Sequence, residues 1–127
     1  MAKLTVAVTA LLLGCILESV AAAAPVASPK QVMAHHIAVV KNDDVDGVMA
    51  DYASDAVLVT PTETYIGAAG IRRFFKQLAA EHRDWTTYIV TQEVKAAGVV
   101  LQRDAKSGRV EVFVVRHGKI AFQALPP

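Results

Sequence analysis

Two side chains stand out for the chemistry they could do. His36 falls inside an apolar stripe, because Met33, His36, Ile37 and Val40 recur at i, i+3, i+4 and i+7, the spacing of one helix face. An imidazole on a buried face can serve as acid, base or oxyanion donor near neutral pH. Its plainer role is that of a packed histidine bonded to a nearby carbonyl. Glu111 alternates along the chain with Phe113 and Val115. If it shares their inward face, burial raises its pKa and makes it a candidate base. If Val110, Val112 and Val114 point inward instead, Glu111 is solvated, and alternation alone leaves both faces open. Tyr52, Tyr65, Trp85 and Tyr88 combine apolar bodies with polar tips, which suits them to line a small-molecule pocket or to pack in a core.

Other chemistries lack their residues. His35 lies about 100° round the helix from His36, and no His or carboxylate partner at helical spacing supports a metal site. Serine nucleophile elbows, phosphate loops and dinucleotide fingerprints are absent from the sequence, so no cofactor is expected. The formal net charge is +1 and the basic residues are scattered apart from Arg72, Arg73 and Lys76. That balance gives no electrostatic case for nucleic acid. At 127 residues, 54% of them hydrophobic, the chain is the size of one folded domain.

The elements that must position these residues follow from periodicity and punctuation. Ser28, Pro29 and Gln31 predict a capped helix start, with Ser28 and Gln31 forming a capping box. A second helix is expected over about 43–52, with Asp43 as its cap and Val45, Val48, Met49 and Tyr52 on one face. Ala56 to Thr60 reads as a strand stopped by Pro61, with Thr64 to Ile66 returning beside it. A third helix is expected from Ala68 to His82, with Ile71, Phe74, Phe75, Leu78, Ala79 and His82 inward. From Asp84 onward the period changes to two. Strands are expected at Trp85–Lys95, Val99–Arg103, Arg109–Arg116 and Lys119–Leu125, the last pair joined by a two-residue turn at His117-Gly118. The fold class is therefore α+β: a cone-shaped, curved antiparallel sheet packed against three helices and enclosing a pocket.

The N-terminus reads differently. Lys3 precedes an apolar run from Leu4 to Leu17, too short for a bilayer span and the right length for a signal-peptide core. Residues 1–24 are expected to be a signal peptide cleaved near Ala23, followed by a linker at 25–28 and the domain at 29–127. The alternatives are a lipobox at Leu12-Leu13-Gly14-Cys15, which would anchor the chain through a lipid on Cys15, and an uncleaved anchor. Cys15 is the only cysteine, so its removal would leave a mature domain with no thiol. An exported location, periplasmic or secreted, follows as an expectation, with no membrane span after processing.

Four blocks, in order, carry a family likeness. They are Asn42-Asp43-Asp44-Val45-Asp46-Gly47-Val48-Met49, Tyr52 to Pro61, Gly67-Ala68-Ala69-Gly70-Ile71-Arg72-Arg73-Phe74-Phe75, and His117-Gly118-Lys119-Ile120. Together they resemble the SnoaL-like and ketosteroid isomerase-like families of the nuclear transport factor two-like superfamily, over about Pro29 to Leu125. The resemblance implies the cone fold. It does not imply one activity, since this fold hosts enzymes and binders alike. Carried over residue by residue, the isomerase's oxyanion-donating tyrosine falls on His36, its general-base aspartate on Thr60, and its protonated aspartate near Val110, beside Glu111. Threonine cannot abstract an α-proton, so the steroid isomerase set is missing.

The expected function is binding of a small apolar or aromatic molecule, with Tyr52, Tyr65, Trp85 and Tyr88 as ligand contacts and a second copy of the chain as partner. The alternative is a lyase or isomerase acting on a cyclic or carbonyl-bearing metabolite, with His36 and Glu111 as its acid–base pair. A third reading is a protein-binding module that uses an exposed sheet face.

Overall fold

The structure, a computed structural model, describes residues 21–127. The expected signal segment lies almost wholly outside the described residues, as does Cys15. Helix α1 runs Pro29–Lys41 and starts as its sequence dictates. The Ser28 side chain accepts from the Gln31 amide while the Gln31 side chain accepts from the Ser28 amide, so two free N–H groups are satisfied at once. Helix α2 spans Val45–Asp51. Its cap is Asp44, which accepts from the Gly47 N–H, and not Asp43, which adopts a positive φ of 52° in the turn before it. Tyr52 leaves the helix for an extended conformation and opens strand β1, Tyr52–Val59.

Strand β2, Thr64–Ile66, pairs back on β1, and helix α3 follows directly over Gly67–Ala80. Ile71 and Phe75 are its buried residues, with Phe74 and Leu78 packed against the core. His82 falls beyond the helix, exposed and with a positive φ of 46°. The long strand expected at Trp85–Lys95 shrinks to β3, Val90–Val94. The Asp84 side chain takes both the amide and the hydroxyl of Thr86, and the Tyr88 N–H bonds the Trp85 carbonyl. Those local bonds turn the chain before pairing can begin. Strands β4 (Val99–Asp104), β5 (Val110–Arg116) and β6 (Lys119–Ala124) complete the sheet. His117 and Gly118 both have positive φ, as a primed hairpin turn requires.

The six strands lie in the order β2-β1-β6-β5-β4-β3. The sheet is mixed, since β1 runs parallel to β6 while every other pair is antiparallel. The chain leaves β1 through β2 and α3 and comes back through β3, β4 and β5, so that β6 enters beside β1 running the same way. Two register shifts bend the sheet, one between Tyr52 and Val57 against β6 and one between Val114 and Val115 against β6. Bulges of this kind increase local twist and let a strand curl. The helices fill the concave side, where Met33, Val48, Leu58, Ile71, Val100, Phe113 and Ile120 are fully buried.

Candidate functional site

The concave face is ordered in cross-strand rows. Gln92, Gln102 and Glu111 are neighbours across β3, β4 and β5. Val100, Phe113, Gln123, Leu58 and Tyr65 form the next row across β4, β5, β6, β1 and β2. Glu111 thus shares a face with Phe113 and Val115, which are buried against the helices. Phe113 packs edge-on against His36 with ring centroids 5.6 Å apart. Between this face and the helices lies a cavity of about 520 Å³. Its size suits a small organic ligand, for which pockets of about 300–1,000 Å³ are usual.

His36 and Glu111 both line this cavity, as do Tyr65, Trp85 and Tyr88. Tyr52 does not reach the wall. It is buried behind Gln123 and donates its hydroxyl to the Gln123 side-chain oxygen. The register shift at the start of β1 and the turn out of α2 put it there, one layer back from the place expected of a ligand contact. Thr60 lies on the cavity wall. Val110 and Glu111 alternate, so the position carrying the carboxyl is Glu111.

Two glutamines that periodicity does not single out tie the polar groups together. Gln123 accepts from Tyr52 and donates through Nε2 to Glu111 Oε2 at 3.2 Å. Gln102, 2% exposed, donates to the Tyr88 hydroxyl at 2.9 Å and accepts from Gln92 at 2.9 Å. Burial pushes the Tyr52 phenol well above its ordinary range, with the Glu111 and Asp51 charges adding to the effect. Burial likewise raises Tyr88. Both remain O–H donors, and because Tyr88 accepts from Gln102 its own proton is free for a ligand. Arg83 and Arg109, both exposed, also line the cavity, with Glu81 and Asp104 beside them in the lining. Arg109 is held by a bond to the Pro126 carbonyl.

Two of the titratable groups on the wall, Glu111 and His36, are pushed toward neutrality. Burial raises the Glu111 carboxyl above its ordinary 4.5, with the Gln123 bond and Arg109 opposing. Burial lowers the His36 imidazole below 6.5, with Asp51 opposing. Raised in the fold, the Glu111 proton stabilises the folded state fully below pH 4.5, and that contribution is lost as pH rises through the folded value. Glu111→Gln cannot ionise. It is expected to gain stability relative to the unaltered protein as pH rises from about 4 to about 8, read as a widening gap in denaturation midpoints. A gap constant with pH contradicts this.

His36 has a further neighbour that no sequence pattern marks. Asp51, at the C-terminal end of α2, places Oδ1 2.8 Å from His35 Nδ1 and Oδ2 3.7 Å from His36 Nδ1. The two histidines therefore converge on one carboxylate despite their angular separation on α1. The spacing of 15 and 16 residues crosses a turn, so no helical pattern reveals it.

A three-helix layer over a curved, unclosed sheet with a lined cavity between them defines the nuclear transport factor two-like class. The chain belongs to the SnoaL-like domain family, whose sequence profile matches residues 33–123. Among solved structures it is similar to a protein from Sphaerobacter thermophilus, with a TM-score of 0.60 and 19% identity over 78% of this chain and 94% of that one. It is also similar to a candidate polyketide cyclase from Sinorhizobium meliloti, with a TM-score of 0.59 and 16% identity over 75% of this chain and 93% of that one. A third, an uncharacterised protein from Novosphingobium aromaticivorans described as a cystatin fold, has a TM-score of 0.59 and 19% identity over 80% and 99% of the two chains. At these identities the likeness is one of fold. No curated protein matches the sequence.

Proposed function

We propose that the domain binds a small, largely apolar molecule carrying a carbonyl or hydroxyl group. The observation that carries this reading is the cavity of about 520 Å³ whose wall mixes aromatic and polar side chains, with a hydrogen-bonded carboxyl, Glu111, on its sheet side. The three carboxyl groups of the lining, Glu81, Asp104 and Glu111, disfavour an anionic ligand, and the two exposed arginines do not outnumber them. A neutral ligand oxygen can instead accept from the Tyr88 hydroxyl. The candidate polyketide cyclase among the fold neighbours makes cyclic, carbonyl-bearing compounds a sensible first panel. The test is a thermal-shift screen of the domain against neutral aromatic and alicyclic carbonyl compounds. Saturable stabilisation supports the reading, and no shift across the panel counts against it.

A second reading is a lyase or isomerase using His36 and Glu111. It is favoured by one observation: both side chains line the same cavity, and each is driven toward its uncharged form. A neutral imidazole can take a proton while a neutral carboxyl gives one. Two further proposals concern context. Export with removal of residues 1–24 is tested by the mass of the mature protein. Pairing with a second copy is favoured by an apolar cross-strand row on the convex face, Ile66, Val57, Phe122, Val114 and Val99, and is tested by light scattering.

A further inference from the structure

The described residues contain two buried side-chain atoms with no hydrogen-bond partner, and they face each other: His36 Nδ1 and Asp51 Oδ2, 3.7 Å apart. Leaving two such groups unpaired is costly, and a buried orphan asks for a reason. Everything else around them is arranged to hold them in place. The His36 ring is clamped edge-on by Tyr52, Phe75 and Phe113, with centroids 5.6–5.8 Å away. Asp51 is fixed from the other side by His35, whose Nδ1–H donates to Oδ1 at 2.8 Å. The backbone carbonyl before Asp51, that of Ala50, takes the Lys119 ammonium and so ties the end of α2 to β6. His36 is only 2% exposed yet lines the cavity.

We propose that Asp51 is a positioning residue for His36: it accepts from Nδ1–H, fixes the imidazole in that tautomer, and leaves the Nε2 lone pair as the nitrogen available to the cavity. This deepens the acid–base reading above and rests on it for its use, though not for its geometry. The 3.7 Å separation exceeds an N–H···O hydrogen bond by about half an ångström, so a shift of that size brings the pair together. Carboxylates elsewhere orient histidines in this way, setting the tautomer and stabilising the imidazolium that forms when the free nitrogen takes a proton. In this arrangement a ligand O–H or acidic C–H gives its proton to Nε2, the electron pair stays on the ligand, and the positive charge on the ring is balanced by Asp51. Asp51 itself gains no proton. His35, 54% exposed at its side chain, belongs to the support for Asp51 and not to the cavity. The titratable groups around the ring are Asp51 from α2, His35 from α1 and Tyr52 from β1.

The tautomer can be read without any ligand, by long-range proton–nitrogen correlation spectra of the ¹⁵N-labelled protein at neutral pH. The expected result is a His36 ring with Nδ1 protonated and Nε2 bare. That is the opposite of what a free histidine side chain prefers in water. The preference should be roughly tenfold or more, which one hydrogen bond to a charged group can sustain. In Asp51→Asn the amide can donate where the carboxylate accepted, so the pattern should invert to Nε2–H. In His35→Ala it should persist. A His36 ring dominated by Nε2–H in the unaltered protein overturns the proposal, as does an unchanged pattern in Asp51→Asn. If Asp51→Asn does not fold, the spectrum of the unaltered protein still decides. Ligand binding is followed separately on Trp85, so failure of the tautomer assignment and failure of the cavity as a binding site are distinguishable.

Discussion

Phe113→Ala is expected to cost about 3–5 kcal/mol of folding stability, the usual range for truncating a fully buried aromatic. Phe113 has no exposed surface and sits between Val100 and Gln123 in the middle of the concave row. Its ring also supports His36 from below. Removing it opens a void that a curved six-stranded sheet cannot close without shifting β5, which carries Glu111 two residues away. In a domain of about 100 residues each kcal/mol moves the melting temperature by about 4–8 °C, so a fall of about 12 °C or more is expected. Urea titration checks it: the midpoint should drop while the slope stays constant. A loss below about 1 kcal/mol would show that the site collapses without cost and that Phe113 is not central to the core.

Gly98→Ala is the second large effect, about 2–5 kcal/mol, and it separates two causes. Gly98 has φ +74°, where a Cβ costs about 1–2 kcal/mol from backbone sterics alone. A Cβ there would also stand 2.1 Å from the Val115 carbonyl oxygen, an atom of the sheet backbone that cannot swing away. Displacing it adds about 1–3 kcal/mol. Gly108 supplies the control. Its φ is +72°, but a methyl group there would meet nothing within 4 Å, so Gly108→Ala should show the conformational cost only. Equal losses at the two positions, measured by denaturation, would mean that the close approach to Val115 relaxes freely.

Much of this arrangement is legible in the sequence, for identifiable reasons. The α1 stripe places His36 inward because Met33 and Val40 fix the face by spacing alone, and both are buried. The Ser28–Gln31 box and the His117-Gly118 turn rest on local bonds and φ values, which short motifs encode directly. Glu111 is ambiguous because β5 carries apolar residues on both faces: Phe113 and Val115 pack under the helices, while Val112 and Val114 are half-buried on the other side. Period-two reading then has no contrast to work with. Gln123 and Ile120 escape notice as same-face neighbours because they are three residues apart. The shift at Val114/Val115 inserts an extra residue in β6, so alternation breaks at the very point where the polar chain is built. The parallel pairing of β1 with β6 is a long-range choice with no local signature. Asp51 reads as one more polar residue on a short helix. Only the crossing of α1 and α2 brings it to both histidines.

The cavity as a ligand site is the central claim, and Trp85 tests it most directly. It is the only tryptophan in the chain and it lines the cavity. Titrating the purified domain with neutral aromatic and alicyclic carbonyl compounds, while following indole emission, reads occupancy at the wall itself. The account predicts saturable emission changes for at least one compound, matched by a rise in melting temperature and weakened by Glu111→Ala. Compounds that stabilise the protein without touching Trp85 emission, or a panel that changes neither, would contradict it.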